Sequence, residues 1–107
     1  MEKFKELISD NDLVLVDFFA HWCGPCQIMT PILDDLKSAV GEKLTIVKVD
    51  IDLPANHGLT SLYQIRSVPT LILFRKGEIV WRNSGVVSTE DLRVIVEKQL
   101  ETEKQPQ

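Results

Sequence analysis

Leu13 to Ala20 reads Leu-Val-Leu-Val-Asp-Phe-Phe-Ala, an apolar run that only Asp17 interrupts. A run of this length, rich in β-branched and aromatic residues, suits a strand covered on both faces in a parallel or mixed sheet. Downstream, Met29, Ile32, Leu33, Leu36 and Val40 recur at i, i+3, i+4, i+7 and i+11. That spacing is one apolar stripe along a helix, which Gly41 closes. Between the strand and the helix stand Trp22-Cys23-Gly24-Pro25-Cys26, which hold the only two cysteines of the chain.

Two thiols with two residues between them can close a short ring by exchanging a disulfide with another molecule. Their place in the first turn of a helix adds to this. Free backbone N–H groups and the positive end of the helix dipole favour a thiolate there over a thiol. The alternative use of the pair is a structural zinc site, which needs four ligands, and only His21 and the distant His57 could complete the set. The pattern favours electron transfer through sulfur, with no metal.

From about Leu13 to Leu100 the chain resembles thioredoxin. The resemblance rests on Val-Asp-Phe-Phe-Ala-His-Trp-Cys-Gly-Pro-Cys at 16 to 26, Pro31, Val-Pro-Thr at 68 to 70, Lys76-Gly77-Glu78 and Gly85, all in the family's order. It implies an α/β thioredoxin fold, a mixed four-stranded sheet flanked by helices. The family usually has a strand before its first helix, and because only about a dozen residues precede Leu13, a sheet lacking that strand is expected. The strand Leu44 to Val49 should then form a sheet edge. The family usually has Trp where this chain has Phe19, and an acidic or small residue where it has His21.

The remaining elements follow from local pattern. Glu2 to Ile8 suits a short helix with Phe4, Leu7 and Ile8 inward, and Pro25 to Val40 a long one. Asp52 to Gly58 suits a polar loop, and Leu59 to Gln64 a short helix. Thr70 to Phe74 and Glu78 to Arg82, joined by Arg75-Lys76-Gly77, suit an antiparallel hairpin. Ser88 is the expected N-cap of a last helix whose buried stripe is Leu92, Ile95, Val96 and Leu100. Residues 101 to 107 form a polar tail expected to fray. Pro31 should kink the active-site helix, and Trp81 should pack in the last strand.

At 107 residues, 44% hydrophobic and 26% charged, the chain suits a single domain spanning 1–107. A net charge of −4 gives no footprint for nucleic acid or anionic membrane. The segment Met-Glu-Lys-Phe-Lys-Glu-Leu lacks the apolar run of a secretory signal, so a cytoplasmic location is expected. An exported protein whose signal had been removed would present the same residues.

The resemblance also assigns roles. Cys23, flanked by Trp22, is the expected exposed nucleophile, and Cys26, one turn deeper, the resolving thiol. The resemblance further implies a nucleophile pKa of about 7, the value characteristic of thioredoxin, which raises the thiolate fraction at pH 7 roughly fifteen-fold over a pKa of about 8.5. Weaker intrinsic nucleophilicity returns about five-fold of that, so positioning must supply the rest.

Asp17 is a carboxylate in an apolar strand, where ionisation is costly unless the group is paired or its pKa rises. It is assigned as the general acid/base that takes the proton of Cys26. A surface-reaching or ion-paired structural Asp is the bland alternative. Lys48 matches the family's buried lysine and is a possible partner of Asp17, or a stem lying along apolar surface.

A cis Val68-Pro69 bond, uncommon for X-Pro in general, is what the resemblance implies. It would aim the Val68 backbone at an extended peptide substrate. Trp22, Gly24, Pro25, Ile51, Val68, Pro69, Gly85 and Val86 are the expected substrate-binding rim, although scattered surface hydrophobes are also ordinary. The implied function is a protein disulfide reductase with no cofactor beyond the Cys23–Cys26 disulfide. It would be recharged by thioredoxin reductase, act on disulfide-bearing proteins and be monomeric. An exported oxidase or isomerase of the same fold, and a non-catalytic binding module using the rim, are the rival functions.

Overall fold

The computed structural model describes residues 1–104, with side chains through residue 101. In chain order the elements are α1 (Glu2–Asp10), β1 (Leu13–Phe19), α2 (Gly24–Val40), β2 (Thr45–Asp50), α3 (His57–Leu62), β3 (Thr70–Arg75), β4 (Glu78–Ser84) and α4 (Thr89–Lys104). Short 3-10 turns lie at Gly41–Lys43 and Pro54–Asn56.

Successive side chains of a strand point to opposite faces, and in β1 both sets are apolar. Leu13 and Leu15 join Leu71 and Leu73 of β3 in a core with Leu33 and Leu36 of α2 and Leu92 and Val96 of α4. Val14, Val16 and Phe18 join Ile72 and Phe74 in a second core with Phe4 and Ile8 of α1 and Leu59 of α3. Tyr63 sits within that second core, its ring 5.5 Å from Phe74 and 5.9 Å from Phe4. Two cores, one on each face, explain why β1 and β3 carry almost no polar side chain.

The sheet has four strands in the order β2-β1-β3-β4, with β1 parallel to β2 and antiparallel to β3, and β4 antiparallel to β3. This is the mixed four-stranded sheet expected from the sequence, and β2 lies at its edge among the described residues. The β3–β4 hairpin turns through Lys76 at φ 51° and Gly77 at φ 87°, the two positive φ values of a tight hairpin whose twist suits its strands. A Cβ on Gly77 would also come within 3.2 Å of Ser9 Oγ on α1.

Most element boundaries differ from the sequence expectation by one or two residues, β2 for example running over Thr45–Asp50 and not Leu44 to Val49, and those of α3 and the end of α4 carry a physical lesson. The short third helix runs over His57–Leu62 and not Leu59 to Gln64. Pro54 starts a 3-10 turn just ahead of it, and Gln64 takes φ 52°, which no helix can continue through. Arg82 of β4 then donates to the carbonyls of Tyr63 and Gln64, accepting groups that the ended helix leaves free. Helix α4 begins as expected, with the Asp91 N–H donating to Ser88 Oγ at 3.1 Å. It continues through Glu101 to Lys104, four residues into the segment expected to fray, because Glu and Lys are good helix formers. The last part of that expected tail, residues 105–107, lies outside the described residues. Among the described residues no helix is long and apolar enough to cross a membrane.

Candidate active site

The chain leaves β1 at Phe19 and turns tightly, with the Cys23 N–H donating to the Ala20 carbonyl at 3.2 Å. Cys23 is the N-cap of α2, with extended backbone, and its sulfur accepts the N–H of Cys26 at 3.1 Å. A sulfur thus occupies the place where Ser or Asp oxygen usually caps a helix. In the reduced state the same N–H and the helix dipole stabilise negative charge on that sulfur. Pro25 fits in this first turn because its missing N–H would have no partner there.

Cys23 and Cys26 are joined by a disulfide. The expected contrast in exposure is absent: the residues are 4% and 5% exposed, because the bond holds the two sulfurs side by side in an apolar nest of Ala20, Phe19, Ile51 and Val68. What distinguishes them is their surroundings. Cys23 faces the loop before β3, its sulfur 3.5 Å from the Val68 carbonyl oxygen, a van der Waals contact while the sulfur carries no proton. Cys26 faces a cavity of about 310 Å³ on the other side, lined also by Asp17, His21, Thr30 and Lys48.

The Val68-Pro69 bond is cis. Its loop is tied down from both ends. Thr70 Oγ1 lies 2.7 Å from the Ser67 carbonyl and 3.0 Å from Ser84 Oγ, and the Gly85 N–H donates to the Pro69 carbonyl at 2.8 Å. Gly85 has φ 101°, a conformation that L side chains rarely adopt, so the chain crosses beside Pro69 with no side chain in the way. Trp22, next to Cys23 in the chain, is 71% exposed, and its indole N–H donates to Asp52 Oδ2 at 2.9 Å, which anchors the ring. Val86 is 45% exposed, Gly24 and Pro25 are exposed, and Val68 and Gly85 are partly buried.

Asp17 is 1% exposed, and its Oδ1 has no hydrogen-bond partner. Burial pushes its carboxyl from 3.8 up to about 6, and the Lys48 ammonium opposes that rise only partly. Lys48 stands directly across from Asp17 on β2, but no ion pair joins them among the described residues, and Lys48 Nζ donates to Thr30 Oγ1 at 3.4 Å. At the cavity mouth His21 Nε2 lies 3.3 Å from Asp50 Oδ2, and its ring meets Phe19 edge-on at 5.2 Å. Among the described residues no group of His, Cys, Asp or Glu could hold a metal ion.

Sequence reasoning placed the sulfurs, Asp17, Lys48 and the 68–69 loop in one site. It missed Asp52 and Thr30, the hydrogen-bond partners of Trp22 and Lys48. Neither carries a local signal, since each acts through a contact across the fold.

The thioredoxin family model matches residues 1–98. The chain belongs to the thioredoxin family. It is 41% identical over 92 residues to thioredoxin of Bacillus subtilis, an alignment covering 86% of each chain. It is 48% identical over 91 residues to a thioredoxin-like protein of Synechocystis, covering 83% of this chain and 84% of that one. Among solved structures, a thioredoxin variant from Halobacterium salinarum superposes with a TM-score of 0.81 at 38% identity, over 92% of this chain and 84% of that one. Thioredoxins with an intact Cys-x-x-Cys pair are thiol-disulfide oxidoreductases that carry electrons on their own disulfide, and this chain, with Cys23 and Cys26, is one of them.

Proposed function

We propose that the protein is a cytoplasmic, monomeric reductase of disulfides in other proteins, recharged by thioredoxin reductase. The observation that carries this reading is the asymmetry around the Cys23–Cys26 bond. One sulfur lies against a peptide-edge carbonyl and follows an exposed tryptophan in the chain, and the other lines one cavity with a buried carboxyl whose Oδ1 has no hydrogen-bond partner.

In the reduced protein the Cys23 thiolate, held by the Cys26 N–H and the helix terminus, attacks one sulfur of the target disulfide. A Cys23–substrate disulfide forms and the first substrate thiolate leaves. Cys26 then loses its proton to Asp17 and attacks Cys23 Sγ. The mixed disulfide breaks, the Cys23–Cys26 disulfide forms, and the second substrate thiolate leaves. Two electrons have passed from the dithiol to the substrate, and the flavin-containing reductase returns two.

Asp17 is matched to its step by its burial. With its pKa at about 6 it is about nine-tenths ionised at pH 7 and still able to accept a proton. Moving a proton from a thiol of pKa about 8.5 to this carboxylate is uphill by about 2.5 units, against about 4.6 for an ordinary aspartate. The difference is worth about 3 kcal/mol. Trp22, Val68, Gly85 and Val86, with Gly24 and Pro25 at the helix start, form the surface on which an extended substrate segment lies, with Pro69 buried beneath it. Gly-Pro between the cysteines favours the reducing over the oxidising branch of the family.

Reduction of insulin with a dithiol donor tests the reading. Turnover that depends on Cys23 supports it. A protein that fails to reduce insulin but oxidises or reshuffles thiols in glutathione buffer would be the oxidase or isomerase.

A further inference from the structure

A groove of about 480 Å³ runs between β4 and α4, with Trp81, Val86, Val87, Asp91, Val94 and Ile95 among its walls. Two of its apolar side chains are open to water, Val86 at 45% and Val94 at 53% exposure. The outer side of β4 has no strand partner among the described residues. The groove is also tied to the sulfurs by a short chain of contacts. Cys23 Sγ touches the Val68 carbonyl, Pro69 accepts from Gly85, and Val86, the next residue, is the groove's first wall. A peptide lying over the disulfide and crossing Gly85 therefore enters this groove.

We propose that the groove is a second docking subsite for the substrate protein, one that takes an apolar side chain and a neighbouring basic residue from the segment flanking the target disulfide. The proposal rests on the reductase reading above and names the substrate feature it selects. Trp81, Val94 and Ile95 supply the apolar wall. Asp91 is the charged residue lining the groove; its carboxylate is in no ion pair among the described residues, and the whole chain carries −4. Opposite charge across such a contact selects partner and register. The open edge of β4 can pair with an extended segment while the groove holds alternate side chains.

The test uses the full chain with bis(hydroxyethyl) disulfide and three peptides that share one disulfide loop. One peptide has no extension. The other two carry an extension of about ten residues, reaching roughly 30 Å, that holds leucine and either lysine or glutamate. The lysine peptide should show kcat/KM about five-fold above the unextended peptide, through KM, an advantage of the size one partly buried apolar contact gives, and the glutamate peptide should lose that advantage to repulsion by Asp91. Val94→Asn should remove most of the lysine peptide's advantage over the unextended peptide and leave turnover of bis(hydroxyethyl) disulfide unchanged. Asp91→Lys should transfer the advantage to the glutamate peptide. Equal kcat/KM for the three peptides in the wild type, or an equal fall for all three in Val94→Asn, would overturn the subsite while leaving the reductase reading intact. A wild-type protein that reduces none of the four probes would overturn the reductase reading and the subsite together.

Discussion

Asp17 and Lys48 stand opposite each other on adjacent parallel strands, yet the ammonium bonds to Thr30 and the carboxyl is left without a hydrogen bond on Oδ1. A close ion pair would have held Asp17 ionised and drawn its pKa down. The separation leaves burial as the larger influence, with Lys48 as a moderating charge, and keeps the carboxyl at about 6.

Stability should carry the mark of that carboxyl. Folded Asp17 binds its proton more tightly than the unfolded chain does, about 6 against 3.8. Its penalty is absent below pH 3.8, grows as pH rises through 6, and levels off above at about 3 kcal/mol. Asp17→Asn removes the titration, so its advantage over the wild type should be larger at pH 8 than at pH 4 by up to that amount. Urea unfolding at both pH values measures it, and an equal difference at the two would contradict the assignment.

Lys48→Met takes away the one opposing charge. The Asp17 pKa should rise further above about 6, as followed by carboxyl NMR titration of the oxidised protein. An unmoved titration would make Lys48 a covering stem with no electrostatic hold on the site.

Proton transfer makes a kinetic prediction of its own. With Asp17→Asn, resolution of a preformed Cys23 mixed disulfide should slow by about 10² or less, the scale of one general base, and its pH dependence near 6 should vanish. An unchanged pH–rate profile would return Asp17 to a structural role.

The fold was legible wherever burial left a periodic trace. The run Leu13 to Ala20 marked the central strand because both faces of β1 meet a core, and the Met29-Leu33-Leu36 stripe marked α2 because one face does. Less legible were features decided by partners far along the chain. Arg82 satisfies the Tyr63 and Gln64 carbonyls just past the end of α3, and the hold on Trp22 depends on Asp52. The near-equal burial of Cys23 and Cys26 was also out of reach, since it comes from the bond between them and not from helix position. The cis Val68-Pro69 bond was legible only by resemblance, because local preference points to trans.

The edge position of β2 has a solution signature. Only its β1 side is paired among the described residues, so amides facing β1 should exchange slowly and those facing outward quickly, alternating from Thr45 to Asp50. Hydrogen exchange in dilute protein reads this directly. Slow exchange at every one of these positions would mean that the outer edge is covered.

The central claim is the division of labour between the two sulfurs, and trapping measures it most directly. Cys26→Ser and Cys23→Ser are each reduced, incubated with oxidised insulin, quenched with acid and analysed by intact mass. The account predicts a stable mixed disulfide on Cys26→Ser, through Cys23, and almost none on Cys23→Ser. Equal trapping by the two variants, or trapping by Cys23→Ser alone, would contradict it.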